Sequence, residues 1–354
     1  MSEDEKLLIL QRYHAFEAVV DGPPENGALK YNFIKDIPIT HTLKEPLSGG
    51  IDYVFDYKNN EMVWVYNSYH DVNVCRIAKY LQVVAQEETT LGVTQGSFYP
   101  CVMICQNQLN VGLVKTSPTW ESWIARKLPS GWAKAKINTT DDQECAWSLK
   151  LVCPAPNNTG SNPFKYVYNI QPTKFGDLYI DQIHYEYFDQ SIKNKDMLWN
   201  RVAIKGFDVK YLLATPRFQH LVLYDKLAKE YWLYLFYQAK DWKFRYFRLK
   251  MNKEGYILDG TASEHRMLYF DEMEKHYEGF PPSVTIFAGR IWFFWTDRPT
   301  NAGFSISCLV PDNAKLPEDK SGWKLNPNTL PQHDPDEKVF CQTVAIKVPS
   351  DFFG

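Results

Sequence analysis

The sequence predicts an all-β fold, a β-propeller of six blades, and three observations carry that prediction. A hydrophobic strand–turn–strand unit recurs along the chain. Its starts, near residues 50, 100, 163, 216 and 282, are spaced by roughly 50 to 65 residues, as four-stranded propeller blades are. The end segments, 1–49 and 335–354, are each too short for a blade and together supply one composite blade. Pairing the two termini closes the ring and removes the open sheet edges that invite aggregation. Five or seven blades are the alternatives, because residues 146–215 and 262–281 parse less clearly. The whole chain is read as one propeller domain.

The best-defined unit runs from Pro282 to Trp323. Val284 and Ile286, then Ile291, Phe293 and Trp295, alternate with their neighbours at the period of a half-buried strand. Ala288-Gly289 separates the two runs as a tight hairpin, since Gly accepts positive φ without steric cost. Pro299-Thr-Asn-Ala-Gly303 then leads to a third strand, and Ser321-Gly-Trp323 closes the unit. Pro100-Cys-Val-Met-Ile-Cys-Gln-Asn aligns on Pro282-Ser-Val-Thr-Ile-Phe-Ala-Gly without gaps. Asn107 falls on Gly289, Leu109 on Ile291, and Ser130-Gly-Trp132 repeats the closing tripeptide. Looser copies begin at Ile51, at Pro163 before Tyr166-Val-Tyr-Asn-Ile, and at Pro216 before Gln219-His-Leu-Val-Leu.

At the ends, Ala15–Val20, Leu29–Ile34 and Lys338–Val348 read as strands. Residues 3–13 read as a helical turn or two, with Leu7, Leu8, Leu10 and Tyr13 on one side. A short helix is also expected within 264–279, the most charged segment, and a long surface loop over 311–338. Residues 154–163, rich in Pro and Asn, read as an inter-blade loop.

Composition agrees with this architecture. Aromatic residues make up 15% of the chain, which suits strands and the space between stacked sheets. A net charge of −3 gives no basic footprint, so nucleic acid is not an expected partner. No apolar run reaches the length of a membrane span. The start Met-Ser-Glu-Asp-Glu-Lys lacks the basic and apolar parts of a signal peptide, so a cytoplasmic protein, or one released without a leader, is expected. The seven cysteines lie mostly in strand-like runs and read as buried, reduced thiols. No zinc-type spacing, Gly-rich phosphate loop or nucleophile elbow is present, so no metal, cofactor or catalytic residue is assigned. His184, beside Tyr185 and Glu186, reads as a surface strand residue.

Candidate binding residues come from aromatics with polar neighbours near predicted turns. Trp295 with Asp297 and Arg298 is one set, Gln238, Asp241 and Trp242 a second, and Trp120 with Trp123 a third. An indole stacks on the apolar face of a sugar while charged or amide groups bind its hydroxyls. The acids Asp52, Asp56, Asp177, Asp181 and Asp297 lie on or beside predicted strands, where a propeller glycosidase would place its carboxylates.

The Pro100–Trp132 and Pro282–Trp323 units resemble the repeats of bladed lectins of the fucose-lectin and tectonin kind. The run Phe287-Ala-Gly-Arg-Ile-Trp-Phe-Phe-Trp295 is also similar to neuraminidase-like β segments of large bacterial toxins. The first resemblance implies sugar binding between neighbouring blades. The low blade-to-blade identity and large loops depart from those families and argue against repeated equivalent sites. The reading is a non-enzymatic carbohydrate-binding propeller, in a toxin or defence setting. A propeller glycoside hydrolase and a protein-interaction scaffold are the alternatives, so the expected partner is a glycan or a protein. Oligomeric state has no sequence signal.

Overall fold

The computed structural model describes residues 5–11, 14–36, 52–67, 72–78, 82–85, 100–115, 120–137, 145, 149–154, 163–173, 176–194, 199–205, 217–241, 243–263, 266–268, 282–296, 302–330 and 343–353. Six four-stranded antiparallel sheets account for almost all of them.

The N-terminal sheet holds β1 (Glu5–Gln11), β2 (His14–Val20) and β3 (Leu29–Asp36). Blade 2 is β4 (Asp52–Asp56), β5 (Glu61–Asn67), β6 (Val72–Ala78) and β7 (Gln82–Ala85). Blade 3 is β8 (Cys101–Cys105), β9 (Gln108–Lys115), β10 (Glu121–Leu128) and β11 (Gly131–Lys136). Blade 4 is β12 (Lys150–Val152), β13 (Tyr166–Pro172), β14 (Leu178–His184) and β15 (Asn200–Ala203), with the helix α1 (Tyr185–Asn194) before its last strand. Blade 5 is β16 (Gln219–Asp225), β17 (Glu230–Gln238), β18 (Phe244–Met251) and β19 (Arg266–Met267). Blade 6 is β20 (Ser283–Phe287), β21 (Arg290–Thr296), β22 (Gly303–Leu309) and β23 (Lys324–Leu325). The last strand, β24 (Thr343–Pro349), returns to β1, pairing Glu5 with Pro349 through Gln11 with Thr343, and completes blade 1.

The first strand of each sheet lies innermost. β24 touches β4, β4 touches β8, β8 touches β12, β16 touches β20, and β20 touches β24. Six apolar clusters fill the six gaps between blades. Leu8, Leu10 and Phe352 meet Phe55 and Trp64 between blades 1 and 2. Val63 and Val65 meet Ile104 and Val111 between blades 2 and 3. Met103 and Ile124 meet Leu151 and Val167 between blades 3 and 4. Tyr168 and Ile170 meet Leu233 and Leu235 between blades 4 and 5. Tyr234 and Phe236 meet Phe293 and Trp295 between blades 5 and 6. Trp292 and Phe294 meet Leu7 and Ile9 to join blade 6 to blade 1.

These gaps explain the first correction. The middle strands are buried on both faces, so β21 is buried at every position from Arg290 to Thr296. Alternation sorts its residues between two neighbouring blades, not between core and water. The same cause overturns the helical reading of residues 3–13. Leu7, Leu8, Ile9 and Leu10 form an unbroken apolar run because β1 is sandwiched, and each is at most 1% exposed.

Blade 4 begins earlier than the expected start near 163. Its inner strand is Lys150–Val152, and Tyr166 opens the second strand. Residues 155–162 of the expected loop lie outside the described residues, and the loop joins two strands of one blade. Within 264–279, Arg266–Met267 is a strand; 264–265 and 269–279 lie outside the described residues. The expected surface loop carries the outer strand β23, and Trp323 beside it is buried, 5.5 Å from the Phe293 ring.

The repeat in blades 3 and 6 is matched in backbone geometry. Cys105 pairs with Gln108 and Phe287 with Arg290, leaving two-residue turns at Gln106-Asn107 and Ala288-Gly289. All four residues have positive φ, 52 and 57° in the first turn and 49 and 74° in the second. Gln106 and Ala288 are the misfits, because a Cβ in this region costs about 1–2 kcal/mol. Ala288→Asn creates the favoured Asn-Gly pair and is expected to raise stability by about 0.5–1 kcal/mol. A higher urea midpoint at unchanged slope checks this.

Cys101, Cys105, Cys145 and Cys308 are buried and in the reduced state, as is the half-buried Cys153. Burial pushes the thiols of Cys101, Cys145 and Cys308 up to about 12, so they stay protonated. Cys75 has no described side chain and Cys341 lies outside the described residues. No helix among the described residues is long and apolar enough to cross a membrane.

Candidate functional site

The described members of the sequence-predicted binding set, Trp120, Trp123, Gln238, Asp241 and Trp295, fall in blades 3, 5 and 6, near the turns joining the second and third strands. Chain direction places those turns on one end of the ring. Trp295 is 4% exposed and stacks 5.9 Å from Phe304, inside the gap between blades 5 and 6. Asp297, Arg298 and Trp242 lie outside the described residues. Gln238 ends β17 and is buried. Asp241 receives Arg245 Nη2 at 2.6 Å and the Lys243 N–H at 3.3 Å. Burial alone would raise its carboxyl; those bonds outweigh it and hold it below the ordinary value. Trp120 packs against the core between blades 3 and 4. Trp123 donates from Nε1 to Glu121 at 3.0 Å, under the Lys115 ammonium at 5.6 Å from its ring. The described members of the three sets share an end of the ring but sit in separate blades.

A denser aromatic group stands at the opposite end, where blades 4 and 5 meet. Tyr166 opens β13 and His184 ends β14, and the two are cross-strand partners. Their rings meet edge to face at 5.3 Å. Tyr256, in the loop after β18, stands 5.0 Å from Tyr166. Tyr185 stacks on His184 at 5.0 Å, and Tyr187 approaches the same imidazole at 5.7 Å. Helical geometry decides which rings face water: Phe188 and Ile192, four apart, are buried, and Tyr187 is 50% exposed. His184 ends its strand as expected, and the helix starts at the next residue, Tyr185. Its first N–H donates to Lys165 O at 2.7 Å.

The blade 5 loop is fixed to blade 4 by directed bonds. Asn252 Oδ1 accepts the N–H groups of Glu254 at 2.9 Å and Tyr256 at 2.7 Å. Gly255 turns with φ of +88°, and a Cβ there would stand 2.8 Å from Tyr168 Oη. The Tyr168 hydroxyl donates to Gly255 O. Lys165 N–H donates to Glu254 O at 2.8 Å. Gln182 grips the Ile257 backbone twice, donating at 2.7 Å and accepting at 3.0 Å. The rings are thus set before any ligand arrives, which spares ordering entropy on binding.

Charged groups rim the rings. Lys165 Nζ lies 2.7 Å from Glu254 Oε1, with both side chains well exposed. That hydrogen bond holds the Glu254 carboxyl below its ordinary value and raises the Lys165 ammonium. His184 Nδ1 accepts the Glu186 N–H at 3.3 Å, which places the proton of a neutral ring on Nε2. Ring faces beside an ammonium and carboxylates suit a ligand with an apolar CH face and a hydroxyl edge. No cluster of metal-ligating side chains occurs among the described residues. The pattern Tyr166-x-Tyr168 and His184-Tyr-Glu-Tyr187 was a legible signal; its link to Tyr256 was not.

Six radially stacked sheets, closed by pairing the chain's two end strands, define a six-bladed β-propeller. The lectin BP39L from Burkholderia pseudomallei superposes with a TM-score of 0.53 at 10% identity, covering 91% of this chain and 84% of the lectin. The fucose-specific lectin from Aleuria aurantia gives 0.51 at 10% identity, covering 94% of this chain and 93% of the lectin. Another Aleuria aurantia lectin structure, described as a six-bladed β-propeller, gives 0.50 at 10% identity over 92% and 90%. No protein-family model matches the sequence, and no curated protein does. The likeness at these identities is one of fold.

Proposed function

We propose that this chain is a non-enzymatic carbohydrate-binding propeller that holds a glycan between blades 4 and 5. The observation that carries the proposal is the fixed ring group of Tyr166, His184, Tyr187 and Tyr256, rimmed by Lys165 and Glu254. Sugar CH groups lie on the tyrosine faces, and hydroxyls reach the carboxylate and ammonium. The superposable lectins include one named fucose-specific, so fucosylated glycans are the first ligands to try. The hydrolase alternative is less well supported. Asp181 is fully buried on Arg201, Asp52 is held by Lys150, and Asp56 caps the β4–β5 turn through Lys58 N–H and Asn59 N–H.

A glycan array tests the reading. Wild type is expected to bind a subset of fucosylated glycans. Tyr187→Ala, at a half-exposed position, is expected to weaken that binding about tenfold, or about 1.4 kcal/mol, with an unchanged urea midpoint. Failure of wild type to bind any glycan would defeat the proposal.

A further inference from the structure

The inner strands share a recurrent contact at the end of the ring opposite the aromatic group. Asp52, opening β4, accepts the Val102 N–H of β8 at 2.9 Å. Cys101, opening β8, accepts the Leu151 N–H of β12 at 3.2 Å. Ser283, opening β20, accepts the Ala345 N–H of β24 at 3.0 Å. In each case a side chain on one inner strand satisfies a free edge N–H of the next.

Lys150, opening β12, breaks the series because an ammonium cannot accept. It reaches past β8 to Asp52, with Nζ 2.8 Å from Oδ2. His220, second in β16, holds the position on the next inner strand that corresponds to the donors Val102 and Leu151. Lys150 shares its strand face with Val152, and His220 with Val222; both valines pack in the gap between blades 4 and 5. Both side chains therefore leave their strands toward that gap, and the Lys150 and Asp52 charges both act on the His220 ring. His220 Nδ1 is buried without a hydrogen-bond partner among the described residues, although the residue as a whole is only half-buried. Burial first, then the Lys150 charge, push its pKa down to about 3, so the ring is neutral.

We propose that Asp52, Lys150 and His220 form a second binding site, for a neutral ligand presenting two adjacent hydroxyls, such as a monosaccharide or a glycan terminus. The charge balance selects the class: a free anion meets Asp52 and a free cation meets Lys150. The contact pair offers a donor and an acceptor 2.8 Å apart, the spacing of neighbouring hydroxyl oxygens on a sugar ring. Among the described residues the ammonium uses one of its donors, on Asp52, whose Oδ1 has no partner there. A ligand hydroxyl also recovers the orphaned Nδ1. The site extends the carbohydrate reading but stands independently of the aromatic group.

Long-range proton–nitrogen NMR of the histidine rings separates the two sites. The probes are methyl α-L-fucoside, a panel of other methyl glycosides, and glycerol as the smallest vicinal diol. A saturable shift of the His220 nitrogens is expected with at least one probe. It should persist in Tyr187→Ala and vanish in Asp52→Asn, with His220→Gln fixing the assignment. His220 signals that stay still through the whole panel would overturn the second site, whatever His184 does. Shifts confined to His220 would keep the second site and remove the surface one.

Discussion

Replacing Asp181 with alanine is expected to destabilise the protein by about 3–5 kcal/mol, enough to remove much of a typical domain's stability. Asp181 sits in the middle of β14 with no exposed surface. Its carboxylate receives Arg201 Nε at 2.7 Å and Nη2 at 3.3 Å, and Asn169 Nδ2 at 2.9 Å. Asn169 also bonds Gln171, which accepts from Ser122 Oγ of blade 3 at 2.6 Å. The network therefore ties two blades together. Arg201 is almost as deeply placed, 7% exposed and 4.7 Å over the Tyr179 ring. Removing the acid takes the carboxylate away from a largely buried guanidinium, and that penalty exceeds the value of the intact pair. Urea unfolding of Asp181→Ala and Asp181→Asn measures the effect, with the asparagine expected to cost less because it keeps an acceptor. A catalytic acid would behave oppositely, losing activity at nearly full stability.

Ending the chain at residue 342 is expected to abolish cooperative folding of the ring. β24 supplies the inner strand of blade 1, pairing with β1 along its full length. Val348 and Phe352, both fully buried, leave with it; each contributes roughly 1.5–3 kcal/mol by burial. The loss extends further, because Leu7 through Leu10 become part of an open, apolar edge. Thr343 also bonds Thr296 across the seam at 2.7 Å. The summed loss is of the order of a domain's whole stability. Size-exclusion chromatography is expected to show aggregates, and a peptide spanning 343–353 added in trans is expected to restore part of the soluble ring. An unchanged elution volume and urea midpoint would refute the closure.

The architecture was largely legible because it repeats. Ala288-Gly289 and Gln106-Asn107 mark turns whose backbone demands left-handed residues, and Pro100 and Pro282 mark the blade starts. Strands sandwiched between blades were harder to read. Leu7–Leu10 gave a helix-like run because both strand faces are apolar, and β12 is only three residues long, too short for any period. The site was less legible than the fold. Trp295 stood out as a turn-proximal indole, yet its ring fills the gap between blades 5 and 6. Tyr256 joins Tyr166 and His184 only because two blades are adjacent, and Asp52 meets Lys150 only because inner strands converge. Periodicity in one dimension does not encode either meeting.

The most direct measurement is a crystal structure of the protein soaked with methyl α-L-fucoside. The account predicts the sugar seated against Tyr187 and Tyr256, its hydroxyls bonded to Glu254 or Lys165. A bound fucoside found elsewhere on the ring, with those tyrosines bare at saturating ligand, would contradict it.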